Sequence, residues 1–143
     1  MNKRMRRKAS KTKMFLLEFI IIILFFSLAA TVCVRIFVNA KMASAQSSRL
    51  TGAVLKAQEA AETFKAVDGD AGRLAEELNG SMDGQNVVVF YDTEWNHAKE
   101  QTDGVYRMEI RLEKEQNLIT ASILINHGQD EIYSLKIQKV TDA

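Results

Sequence analysis

Glu18 is the one charged side chain in the run Met14 to Val34 (MFLLEFIIIILFFSLAATVCV). A carboxylate at the centre of a bilayer costs about 2.5–3.5 kcal/mol on insertion scales, and less near the interface. The chemistry open to it there is ion pairing, so a positive partner has to exist. Two sources are at hand. One is the basic leader directly before the run, MNKRMRRKASKTK. The other is a positive charge on a neighbouring copy of the same helix. Arg35 closes the run at its far end. It reads as a boundary charge that snorkels to the surface, or as an assembly contact with Glu59 or another acid of a neighbour. Cys33 beside it reads as a small apolar residue.

The rest of the chain offers little reactive chemistry. His97 and His127 lie on separate loops without ligand spacing. Asp92, Glu94 and Asp103 bracket the loop DTEWNHAKEQTD. Acids of this kind bind calcium in some loops, but the regular Asp-x-Asp-x-Asp-Gly spacing is missing, so the loop reads as solvated. Trp95 in that loop is a candidate partner contact, with packing over the sheet as the other reading. There is no phosphate-cradling glycine loop, nucleophile elbow, metalloprotease motif or convincing carboxylate pair. The sequence therefore predicts no enzyme, no metal and no cofactor.

Charge sets the expected topology. The 143 residues carry a net charge of +1. Residues 1–13 hold +7 (Lys3, Arg4, Arg6, Arg7, Lys8, Lys11 and Lys13). Glu18 cancels Arg35, so residues 36–143 hold −6. The basic end should stay in the cytoplasm and the acidic domain should be exported. The leader suits lipid headgroups, and no nucleic-acid binding is expected. A cleaved signal peptide is a competing reading, because Ala43-Ser44-Ala45 has the look of a cleavage site. Against it, the apolar run spans 21 residues, the length of a membrane span rather than of a signal core.

Four segments are expected to position these groups. Residues 1–13 form the leader and 14–38 a membrane helix. Residues 39–67 continue it as an amphipathic helix, with Leu50, Val54, Ala57, Ala61 and Phe64 on one face. Residues 68–143 form an exported domain that this helix completes. Within it, Asp70 should cap a short helix from Ala71 to Leu78. The period then changes to two. Strands are predicted over Val87 to Tyr91, from Tyr106 through Leu112, over Leu118 to Asn126 and over Ile132 to Val140. Short turns make them an antiparallel meander. The fold class is α+β, a long helix packed on a sheet of about four strands.

A basic leader, an apolar helix with one early glutamate (Phe15-Leu16-Leu17-Glu18-Phe19), an amphipathic continuation and an antiparallel sheet resemble the type IV pilin superfamily. That group includes the pseudopilins of type II secretion and of DNA-uptake machines. The resemblance covers roughly residues 1–66 by pattern and the sheet by architecture. It implies cutting of the leader by a prepilin peptidase between Lys13 and Met14, with methylation at the new terminus. It also implies pairing of Glu18 with the amino terminus of a neighbouring subunit, and assembly on a membrane platform. Two departures stand out. Lys13 occupies the position where the family usually has glycine, and the apolar helix lacks a common proline. A single-pass protein whose outer domain binds an envelope partner without polymerising is the alternative expectation.

Overall fold

The computed structural model describes residues 2–99 and 101–141, with side chains described from Ser10 onward. The leader charges Lys3, Arg4, Arg6, Arg7 and Lys8 lie outside the described side chains, and Glu100 of the acidic loop lies outside the described residues. The chain divides into two compact units, Met1–Ala45 and Gln46–Ala143. A helix, α1, runs over Asn2–Ala66 and contributes to both.

The first unit is helical throughout its described residues. Continuous helix is what its sequence dictates: no proline or glycine interrupts it, and in lipid only internal hydrogen bonds satisfy the backbone. Its apolar side chains are exposed all round, from Met14 to Val38. α1 is long and apolar enough over part of its length to cross a membrane, and that part is not buried in the protein.

The second unit is an α+β domain. Residues 46–66 of α1 pack on an antiparallel sheet of five strands, one more than expected. The strands are β1 (Ser81–Asp83), β2 (Asn86–Tyr91), β3 (Tyr106–Glu115), β4 (Leu118–His127) and β5 (Asp130–Val140), adjacent in chain order. β1 carries one apolar residue in three, Met82, so it has no periodicity to read. It pairs with β2 across the tight connection Gly84-Gln85, where Gly84 takes φ 65°. Such a φ suits glycine, which has no Cβ to clash.

The buried face of α1 keeps Ala57, Ala61 and Phe64 of the expected one and is rotated from it at the start. Ala53, Ala57, Ala60, Phe64 and Val67 are buried, whereas Leu50 is 45% exposed and Val54 only half-buried. Apolarity pointed to Leu50 and Val54. Packing instead places alanines against the sheet, where small side chains let the helix approach closely, and Phe64 fills the gap beyond them. Lys56 pairs with Glu59 one turn along, at 2.7 Å. After the helix, Asp68 and Gly69 both take positive φ, and the Gly69 N–H bonds the Phe64 carbonyl at 3.0 Å, closing the last turn. Asp70 then caps α2 (Ala71–Glu77), accepting from the Arg73 N–H at 2.8 Å. Leu74, Ala75 and Leu78 of this segment turn inward.

The inner face of the sheet presents alternate residues, among them Val87, Val89, Met108, Ile110, Ala121, Ile123 and Ile125. Register is continuous between neighbours except for a bulge at Ile125/Asn126. Lys139 of β5 reaches back to α1. It donates to the Lys65 carbonyl at 2.8 Å and pairs with Asp68. A cation at the end of a helix also suits the partial negative charge there.

Candidate functional site

The candidate assembly site lies in the first unit. Glu18 is exposed and makes no ion pair or hydrogen bond with another side chain among the described residues. Its neighbours Leu17, Phe19, Ile20 and Ile21 are all more than half exposed. The same helical face carries Met14 one turn earlier, about 40° round the axis at 3.6 residues per turn. Lys13 lies one residue before that. Arg35 stands about 25 Å farther along the helix and about 100° round from Glu18. The helix thus keeps the two opposite charges apart within one chain.

The helix satisfies its own hydroxyl where it can. The Thr31 hydroxyl donates to the Ser27 carbonyl at 2.9 Å. This back-bond leaves no donor facing lipid from that side chain. Glu18 has no equivalent, since a carboxylate accepts and every backbone N–H nearby is used by the helix. Cys33 is exposed and free. Glu59, considered from the sequence as a mate for Arg35, is held by Lys56 of its own chain.

Trp95 has a different environment from an exposed contact residue. Its indole stacks on Tyr106 with centroids 4.0 Å apart and planes 5° from parallel. It also lies over Gly52 of α1: a Cβ built there would come 2.1 Å from the indole Nε1. Trp95 has φ 66°, strained for a bulky residue. Asp92 holds the loop in this shape. Its carboxylate accepts from the Glu94 N–H at 2.8 Å and the Asn96 N–H at 3.0 Å. These bonds, first of all that from Asn96, hold the Asp92 carboxyl below its ordinary range. The acid that sequence reading set beside calcium chemistry therefore serves as the cap of its own loop.

Two clusters escaped the sequence. His97, Tyr91, Tyr106 and His127 fall on one cross-strand row at the end of the sheet, with rings 5.1–5.3 Å apart where the histidines meet the tyrosines. Tyr91 is fully buried and its hydroxyl has no hydrogen-bond partner. Burial, and secondarily Glu59, push its ionisation above the usual phenol range. On the other face, Glu109 is nearly buried between Arg107 (3.2 Å) and Arg111 (2.8 Å), with Asn86 donating at 3.3 Å. The lone glycine inside the amphipathic helix was a usable signal, since such a glycine often marks a close approach. Nothing local could reveal the row of rings, because it depends on strand register.

Comparison with known proteins finds no matching family model, no matching curated protein and no matching solved structure.

Proposed function

We propose that the chain is a pilin-like or pseudopilin-like subunit, anchored by residues 14–38 and assembled into a filament of a type IV pilus, type II secretion or DNA-uptake machine. One observation supports this best. Among the described residues Glu18 is an unpaired carboxylate, on a helix stretch that is otherwise apolar and exposed. Placed in lipid, such a group is costly alone and compensated by a cation. A helix from a second copy, set parallel with an axial offset, can supply that cation as its free amino terminus at Met14. If the leader is retained, Lys13 or Lys11 fills the role from the membrane surface. In a bundle the pair also fixes the stagger between helices.

The folded unit 46–143 then lies outside the membrane, the orientation that the +7 leader favours. Lys13 in place of glycine before Met14 favours a second reading, a single-pass protein that binds an envelope partner and does not polymerise. Self-association separates the two. With a photo-crosslinking residue at Phe25, copies in native membranes should crosslink to one another, giving a ladder of sizes. Crosslinks confined to other proteins support the second reading.

A further inference from the structure

The two edges of the sheet are unlike. β1 is three residues long, too short to template another strand. β5 is eleven residues long, and among the described residues no strand lies beside its outer edge. Folded proteins usually blunt such an edge with proline, an outward bulge, lysines laid across it or a covering segment. β5 contains neither proline nor glycine. Its bulge lies at one end, opposite Ile125/Asn126. Lys139 is turned inward to Asp68 and the Lys65 carbonyl, which leaves Lys136 as the one lysine free to guard the edge.

The strand is also polarised. Asp130 and Glu131 stand exposed at its start, and Lys136 is exposed toward its end. Between them Tyr133, Leu135 and Ile137 form an inner row that packs on the core yet stays only half-buried. We propose that the outer edge of β5 is a docking site for an extended segment of a partner polypeptide, added as a further antiparallel strand. Charge order selects that segment. It is acidic where it enters beside Lys136, and basic where it leaves beside Glu131 and Asp130. Its alternate middle positions are apolar, and they extend the row Tyr133, Leu135, Ile137 across the inner face. Main-chain bonds supply affinity, and the side-chain pattern supplies direction. The antiparallel sense follows the rest of the sheet and is the more stable pairing per residue.

A second copy of β5, run antiparallel, also satisfies the charge order. The two-fold axis of that pair is normal to the sheet, so it sets the two helical segments 46–66 antiparallel. On the membrane-anchored reading proposed above, that does not suit two chains whose anchors enter one membrane from the same side. A free partner segment has no such constraint. The proposed edge belongs to the folded unit and does not depend on whether the N-terminal helices polymerise.

The test uses the full chain in detergent micelles and two synthetic peptides of the length of β5. One has two Glu at its start, alternating Val and Thr, and two Lys at its end. The other has the same composition with the charged ends exchanged. At low salt the acid-first peptide should bind at least about tenfold more tightly, the effect of roughly one net ion pair at a partly desolvated edge. It should slow amide exchange in residues 130–140 and leave β1 unchanged. In the variant Asp130→Lys, Glu131→Lys, Lys136→Glu, the preference should reverse. Equal binding of both peptides, or no slowing at β5, overturns the proposal. Slowing at β5 that grows with protein concentration in the absence of peptide overturns it in favour of a second copy.

Discussion

Trp95 occupies the space that a side chain at Gly52 would need. The indole Nε1 lies 2.1 Å from the position of a Cβ on Gly52, and the ring behind it is pinned by its stack on Tyr106. A loop and a helix forty-three residues apart in sequence are thereby fastened at one point. In an ordinary helix Gly→Ala gains about 1 kcal/mol. Here the methyl group must displace an indole stacked on Tyr106, so Gly52→Ala should lower the melting temperature and shift Trp95 fluorescence to the red. In a Trp95→Ala background the same substitution should become stabilising, by about the helix-propensity difference. A double-mutant cycle followed by thermal melts measures the sign change.

Phe64 is the anchor of the helix on the sheet. It is fully buried among the alanines of α1 and the inner row of strands. Phe64→Ala should cost about 3–5 kcal/mol, enough to unfold a small domain of ordinary stability. Leu50→Ala, on the face that turned out to be exposed, should cost far less. Denaturant melts of a fragment beginning near Lys41 compare the two, and equal losses would refute the rotated packing face.

How much of this arrangement was legible in the sequence depended on the range of the interaction. Glu18 against its apolar run, Asp70 as a cap, and the alternation in β3, β4 and β5 are local patterns, and each could be read within a few residues. The rotated face of α1 could not. Leu50 is more apolar than Ala53, and only the closeness of the sheet makes the alanine the buried one. β1 escaped because three residues carry no period. Trp95 escaped assignment because its partner, Gly52, lies on another element. For the candidate site itself, no partner stands beside Glu18 among the described residues, so its pairing is a matter for experiment.

Acid and base should act at different places in the folded unit. Asp68 and Asp92 both ionise below the usual carboxylate value of 3.8, Asp68 chiefly through its bond from Lys139 and Asp92 chiefly through the Asn96 N–H. Carboxylates with lowered values support the fold above the unfolded value and lose that support as pH falls through the folded value. Stability should therefore be level at neutral pH and decline below about pH 4. Tyr91 has the opposite effect. Its ionisation is raised by burial, so its contribution is complete below the ordinary value of 10.0 and is lost as pH rises beyond it. Melts across pH should show both limbs, and Tyr91→Phe should remove the alkaline one.

Topology gives a direct check on the anchor. A cysteine introduced at the exposed turn residue Gln129, in a Cys33→Ser background, should react in intact cells with a membrane-impermeant thiol reagent. The protein should remain in the membrane fraction while it does so. A labelled domain released into the medium after a cut near Ala45 would contradict a retained anchor. Mass spectrometry of the extracted protein should show whether the chain begins at Met14, the end that the pilin resemblance implies.

The central claim is that Glu18 pairs with a positive group of a neighbouring copy. Glu18→Gln keeps the shape of the side chain and removes its charge. Insertion should be spared or eased, because the desolvation cost falls. The decisive measurement is crosslinking between copies from Phe25 in native membranes, scored beside total protein, for wild type and Glu18→Gln. The account predicts that crosslinks are lost in the variant while its abundance is unchanged. Equal crosslinking in both proteins would contradict it.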